Sequence, residues 1–582
     1  MKETYIDTDI RRKCSTHFKK IYGQEHVDEC MERLENLVDA YKFEKQKPKS
    51  IENLWTERDQ VLITYADMIR DSSDSGLSPL ARQHQFLREE LLEQFSTVHI
   101  LPFFPSSSDD GFSVMDYRRV DEQFGDWDDI VAMAEDFRLM TDMVVNHVSR
   151  HSEWFSLFLQ GKKPYDNYFI DVDPDIDLSG VTRPRSTPML TPVQTAKGEK
   201  LVWTTFSDDQ KDVNFKNPQV LFEFLDILFF YVTRGIKVIR LDAVAFIWKE
   251  IGTSCIHLPE THEIVKLFRT LIDYYMPDVT LITETNVPHK ENISYFGDGD
   301  EAHMVYQFSL PPLLLHALLT ENSTYLTDWL SSLEPLPEGC TYFNFTSSHD
   351  GIGMRPLEGL VPEEEFLQLA EGIKERGGFI SYKQNKDKSK SPYELNITYF
   401  DAFASNNGYA GLQEKRFLCS QAIMLSLQGI PGIYFHNLTG TANYLEGVKL
   451  TGRYRTINRK KWEYGELADQ LRKEGSVTKT IFERYKHLLA VRNDHPAFHP
   501  FGEQKVYNTG SRFFVIKRDS PDKFESILVI SNLTVSEEDV DLVDMGLPVS
   551  REQDYDNLLT GQQVISSGKT VLQPYDVLWI SI

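Results

Sequence analysis

Eight short apolar runs, at residues 61–65, 98–101, 139–145, 236–241, 279–282, 304–308, 342–345 and 432–435, are separated by stretches with helical spacing. That alternation constrains the fold more than any other feature of the chain. Runs this short read as strands, and strands alternating with helices build parallel sheets. Eight in succession predict a closed (β/α)8 TIM barrel of class α/β rather than an open sheet. One intervening helix is marked at both ends. Asn217 and Pro218 supply a cap and a first-turn proline, residues 220–232 an amphipathic body, and Gly235 a stop.

Three of the runs end in an acid. The run at 236–241 carries Arg240 and ends beside Asp242, so the two side chains share one face of the strand. Glu284 follows the run at 279–282, and the His349–Asp350 pair follows the run at 342–345. Barrel enzymes place their sites at the C-terminal ends of the strands. Two carboxylates flanking a sugar are the machinery of glycosidic-bond chemistry. Asp242 therefore suits the nucleophile, with Arg240 expected to keep it ionised by proximity of charge. Glu284 suits the general acid, because an apolar strand end raises its pKa. Asp350 and His349 would orient sugar hydroxyls.

The remaining texture divides the chain. Residues 1–55 form a charged, helical N-terminal extension, with Val27, Met31, Leu34, Leu37, Val38 and Tyr41 at helical spacing and no functional content expected. The barrel is expected at 56–150, 216–354 and 401–500. A small domain rich in Pro, Asp and Thr is inserted at 151–215, after strand three. A second insertion at 355–400 follows strand seven and contains a polar run, 383–391, that reads as an exposed loop. Alternating runs after 501 predict a C-terminal antiparallel β domain at 501–582.

Composition excludes several partner classes. Lys and Arg number 62 against 88 Asp and Glu, a formal charge of −26, which argues against nucleic acid and anionic membranes. No apolar run approaches the 18 or so residues of a membrane span. The N-terminal stretch lacks a secretory pattern, and the five cysteines are odd in number and scattered. A reduced, cytoplasmic protein is expected. No metal is expected either: Asp298, Asp300 and Glu301 lack the other positions of a calcium loop. No face stands out as an oligomer interface.

Four ordered stretches, 142–147 (DMVVNH), 235–242 (GIKVIRLD), 282–284 (ITE) and 345–350 (FTSSHD), resemble the conserved regions of the α-amylase family, glycoside hydrolase family 13. The resemblance implies retaining α-glucosyl chemistry with Asp242 as nucleophile, Glu284 as acid/base and Asp350 as transition-state stabiliser. It places His147, Arg240 and His349 at sugar-binding positions. The stretches 62–67 (LITYAD), 109–117 (DDGFSVMDY) and 349–353 (HDGIG) are similar to the sucrose phosphorylase subfamily, which implies that Asp67 clamps glucose hydroxyls. Residues 183–185 (RPR) match that subfamily's phosphate-contacting loop, implicating Arg183 and Arg185. Residues 455–459 (RTINR) match a late motif that puts Arg459 near the glucose. Residues 282–290 (ITETNVPHK), 391–396 (SPYELN) and 457–462 (INRKKW) are most similar to glucosylglycerate phosphorylases. Sucrose phosphorylases carry glutamine at the position of Glu394, where it meets the acceptor. Tyr393 would line the same acceptor site.

The resemblance implies a phosphorylase using a small α-glucoside and inorganic phosphate as co-substrate, with no cofactor. Glucosylglycerate is the expected substrate; sucrose, sucrose 6'-phosphate and glucosylglycerol are the alternatives, as is a glucosidase or transglucosidase. The locally basic stretch 451–461 suggests that Arg453, Arg455 or Lys460 meets the acceptor's carboxylate.

Overall fold

The computed structural model describes residues 6–73, 76–185, 187–384, 389–404, 410–565 and 570–582. The eight apolar runs become β1 (Val61–Thr64), β2 (Thr97–Ile100), β3 (Arg138–Val144), β4 (Ile236–Asp242), β5 (Thr280–Thr283), β6 (Met304–Tyr306), β7 (Thr341–Phe345) and β8 (Ile430–Tyr434). They pair in chain order, all parallel, and β8 closes on β1 with Val61 opposite Gly432. Nearly every residue of these strands is buried, as parallel strands covered by helices require.

The marked helix is α3 (Pro218–Thr233), whose first turn is capped by the Asn217 side chain accepting from the Gln219 amide at 3.1 Å. It ends before Gly235, which has φ 91° and where a Cβ would stand 2.9 Å from that of Ala134. Only glycine fits that turn, which feeds the chain into β4.

After β3 the inserted segment forms an antiparallel pair, His147–Ser149 with Gln210–Asp212, and a three-stranded sheet from Asp171–Val172, Leu190–Thr195 and Gly198–Trp203. After β7 a second small sheet joins Ile352–Gly353, Phe379–Gln384 and Lys390–Asn396. The polar run expected as a loop therefore lies at a hairpin: Lys383 and Lys390 belong to its strands, and residues 385–388 fall outside the described residues.

The N-terminal helices α1 (Thr8–Tyr22) and α2 (Val27–Tyr41) bury Phe18, Cys14, Cys30, Met31, Leu34 and Val38. They dock on α3 and on α4 (Pro259–Tyr275): His17 Nδ1 pairs with Glu263 at 2.6 Å, and Tyr41 donates to Asp226 at 2.8 Å. Tyr22 packs on Trp248, in the loop that leaves β4.

The C-terminal sheet comprises β9 (Glu503–Tyr507), β10 (Phe513–Asp519), β11 (Ser526–Asn532) and β12 (Val577–Ser581), antiparallel throughout. Its alternation sorts two cores. Phe514, Ile516, Ile527 and Val529 face the barrel side, whereas Val515, Leu528 and Ile530 enclose a separate outer core with Val540 and Leu572. No helix among the described residues is long and apolar enough to cross a membrane.

Candidate active site

The strand ends converge on one pocket. Its empty space is about 750 Å³, mouth included, and its wall contains Asp242, Glu284 and Asp350 together with His147, His349, Arg185 and Tyr393. Behind that wall runs a chain of buried polar contacts. His99 Nε2 lies 2.7 Å from Asp142, Asp142 accepts from Arg240, and Arg240 Nη1 donates to Asp242 at 2.6 Å. The other Arg240 nitrogen, Nη2, stands 4.0 Å from Glu284. The register of β4 against β3 and β5 sets this up, because Arg240 sits level with Asp142 on one side and Ile282 on the other.

Directly after Asp242 the backbone turns sharply at Ala243, φ 53°, and the Ala243 amide donates to Glu284 Oε2 at 3.2 Å. A non-glycine residue at positive φ is strained; here it aims one amide at the second carboxylate. The first two acids are thus tied to each other through one guanidinium and one amide.

Burial pushes the Asp242 carboxyl well up, with Glu284 and Asp142 adding to it and Arg240 opposing. Glu284 is also raised, by burial and by Asp350. Arg240 therefore does not by itself hold Asp242 in the ordinary carboxylate range, as its proximity in sequence suggested. Its charge is divided with Asp142, and three carboxylates surround one guanidinium. The shorter Arg240 contact goes to Asp242, which favours Glu284 as holder of the proton that the pair retains.

Asp350 behaves oppositely. Burial would raise it, but Arg455 and Arg459 outweigh that and hold it well below the usual range. Arg455 contacts Asp350 directly and also grips Glu394, Nη2 to Oε1 at 2.6 Å and Nε to Oε2 at 3.1 Å. His349 is pushed down to about 3 by burial. It stays neutral, with Phe112 stacked on its ring at 4.6 Å. His147 is also lowered by burial and takes part in hydrogen bonds with the Phe112 carbonyl at 3.0 Å and Gln210 at 3.1 Å.

Five of the expected binding residues do not line the pocket. Arg240 and Arg459 lie behind the acids; Arg459 donates to the His349 carbonyl at 2.8 Å and pairs with Asp110, with Asp350 at 3.6 Å. Asp67 is engaged by Lys461 at 2.7 Å and Arg70 at 2.6 Å. Glu394 is sequestered behind Arg455, with only 1% of its side chain exposed. Arg183 is exposed and donates to the Thr187 carbonyl at 2.7 Å, away from the pocket where Arg185 sits. Of the basic stretch, only Arg455 reaches the wall, and two carboxylates already hold it. Lys460 pairs with Glu466 at 2.8 Å, and Arg453 is exposed.

Other residues of the site were not singled out beforehand. Phe206 and Phe246 line the wall as isolated loop aromatics, while Asn286 and Arg355 lie within or just after quoted stretches but carry no pattern of their own. Beside the site, the Lys249 ammonium fills an oxygen cage made by Asn146 at 2.8 Å, Asp212 at 2.7 Å and the Phe246 carbonyl.

Comparison with known proteins agrees with this geometry. A family model described as the α-amylase catalytic domain matches residues 89–350. A glucosylglycerate phosphorylase of Spirochaeta thermophila is 49% identical over 525 residues, 89% of this chain and 88% of that protein. The chain belongs to the α-amylase family. A second glucosylglycerate phosphorylase, from Escherichia coli, is 41% identical over 98% of this chain and all of its own length. Among solved structures of the family, sucrose 6F-phosphate phosphorylase from Thermoanaerobacter thermosaccharolyticum superposes with a TM-score of 0.72 at 25% identity, covering 90% of this chain and 100% of that one.

Proposed function

We propose that the protein is a retaining α-glucoside phosphorylase that converts 2-O-α-glucosylglycerate and phosphate into α-glucose 1-phosphate and glycerate. The observation that carries the reading is the pair Asp242 and Glu284, on adjacent strands, facing one pocket and linked through Arg240. The similarity to glucosylglycerate phosphorylases over most of the chain supports the choice of acceptor.

In the first step an Asp242 oxygen attacks the anomeric carbon while Glu284 passes its proton to the departing glycerate oxygen. A glucosyl ester on Asp242 forms and the glycosidic bond breaks. In the second step an oxygen of hydrogen phosphate attacks the same carbon, Asp242 departs as carboxylate, and Glu284 takes the phosphate's proton. Two inversions leave the α configuration intact. Asp350, kept ionised by Arg455 and Arg459, faces the positive charge that develops on the sugar. Arg185, beside Tyr393 at the pocket wall, offers a cation to the phosphate. His147 and His349, both neutral, suit sugar hydroxyls. Arg459 and Asp67 act on the sugar only if substrate draws them from their present partners. The five cysteines are buried and free, which supports a reducing, cytoplasmic setting.

The test is to supply glucosylglycerate at rising phosphate and assay both products. Glucose 1-phosphate rising in proportion to phosphate supports the reading; free glucose formed at the same rate without phosphate makes the protein a hydrolase and refutes it.

A further inference from the structure

Three arginines line the pocket, and they differ in how far they are committed. Arg455 is held by Asp350 and Glu394 and has no charge left for an incoming anion. Arg185 comes from the inserted segment. Arg355 lies five residues beyond Asp350, at the start of the 3-10 turn Arg355–Leu357 that follows Ile352–Gly353. Its backbone is fixed: the Met354 amide donates to the Tyr393 carbonyl at 2.9 Å, and the Glu358 amide donates to the Arg355 carbonyl at 3.1 Å. Its guanidinium is not. The ion pair it makes among the described residues is a long one, 3.8 Å to Glu291, and 24% of the side chain is exposed. Glu291 in turn lies 3.2 Å from His257.

The same pocket wall presents Asn286, whose buried Oδ1 has no hydrogen-bond partner. Gly353 makes room for it, since a Cβ there would stand 2.9 Å from that oxygen. An uncommitted guanidinium on a fixed backbone, sharing a pocket wall with an unsatisfied amide oxygen, fits a ligand carrying a carboxylate and a hydroxyl.

We propose that Arg355, with Asn286 on the same wall, reads the acceptor: Arg355 binds the carboxylate of glycerate and Asn286 accepts from its free hydroxyl. Arg355 is thereby a specificity residue, separate from the phosphate contact assigned to Arg185. The inference rests on the phosphorylase reading above. An unpaired buried acceptor suits the one hydroxyl that 2-O-glucosylated glycerate leaves free, and a guanidinium favours the carboxylate of glycerate over the uncharged hydroxymethyl of glycerol.

The experiment runs synthesis in reverse, from glucose 1-phosphate, with D-glycerate and with glycerol as acceptors. The parent, Arg355→Gln, Arg355→Lys and Asn286→Ala are compared, each first shown by its thermal midpoint to be folded. The ratio of kcat/KM for glycerate to that for glycerol should fall at least tenfold in Arg355→Gln, recover in part in Arg355→Lys, and fall less in Asn286→Ala. An unchanged ratio in Arg355→Gln overturns the proposal while leaving the phosphorylase reading intact. In phosphorolysis, a rise in KM for phosphate as large as that for glycerate would assign Arg355 to phosphate and also overturn it. A parent that glucosylates glycerol and ignores glycerate would sink the acceptor reading and this inference together.

Discussion

At the scale of single residues, the site is a problem in buried charge. Asp242 and Glu284 are both raised, Asp350 is lowered, and His349 is neutral. Replacing Asp242 by Asn should lower kcat by about four orders of magnitude, roughly 5.5 kcal/mol at 1.36 kcal/mol per decade, in a steady-state assay. The same change should raise stability. Between them Asp242 and Glu284 keep a proton, held on Glu284, that the unfolded chain has lost, so stability falls as pH climbs from the unfolded values through the folded ones. Asparagine takes one of the two competing charges out of the buried pair, so that slope shrinks while its carbonyl still accepts from Arg240, and the melting temperature at pH 7 should rise by roughly 2 °C. Glu284 makes the opposite kinetic statement. It must hold its proton in the first step, so the rate should fall as pH rises through its raised pKa. With α-glucosyl fluoride, whose leaving group needs no proton, Glu284→Gln should keep a first-step burst of fluoride and show no alkaline limb. His349, held near 3, contributes no limb in the working range.

At the scale of elements, the barrel was plain in the sequence because each strand is a short apolar run followed by a helix, and because three of those runs end in acids. The three acids at those ends, which share one pocket wall, came with it. What escaped was whatever depends on which side chain another side chain reaches. Glu394 and Arg455 are 61 residues apart and meet only after the hairpin at 379–396 folds against the turn at Tyr454–Asn458. Phe206, Phe246, Asn286 and Arg355 carry no periodic signal, since loops place single residues without pattern. The Lys249 cage is of the same kind. Its ammonium is 2% exposed and its Asp212 partner fully buried. Lys249→Met should therefore cost about 3–5 kcal/mol, the usual penalty for stranding one member of a buried ion pair, measured by urea unfolding. The N-terminal helices belong to this scale too. Phe18→Ala, at a fully buried site against α3, should cost about 3–5 kcal/mol by the same measurement.

At the scale of the whole molecule, an acidic protein is asked to take up two anions. The net charge of −26 repels phosphate and glycerate at long range, while the cations proposed for them, Arg185 and Arg355, lie inside the pocket. The Debye length shrinks from about 30 Å at 0.01 M salt to about 8 Å at 0.15 M. Raising potassium chloride across that interval should increase kcat/KM for phosphate several-fold, and a decrease would show that the local cations govern the approach. The C-terminal sheet is part of the same body. Arg518 on β10 donates to the carbonyls of Ser426 and His499, both at 2.8 Å, and Trp579 on β12 packs on Phe498.

The grip of Arg455 on two acids has a corollary for how such proteins diverge. One arm fastens the segment that leaves β7 and the other the strand Lys390–Asn396, so a transplanted strand bearing glutamine would leave that arm half engaged. The guanidinium would then lean harder on Asp350, and a change made to alter diet would retune the speed of bond cleavage as well.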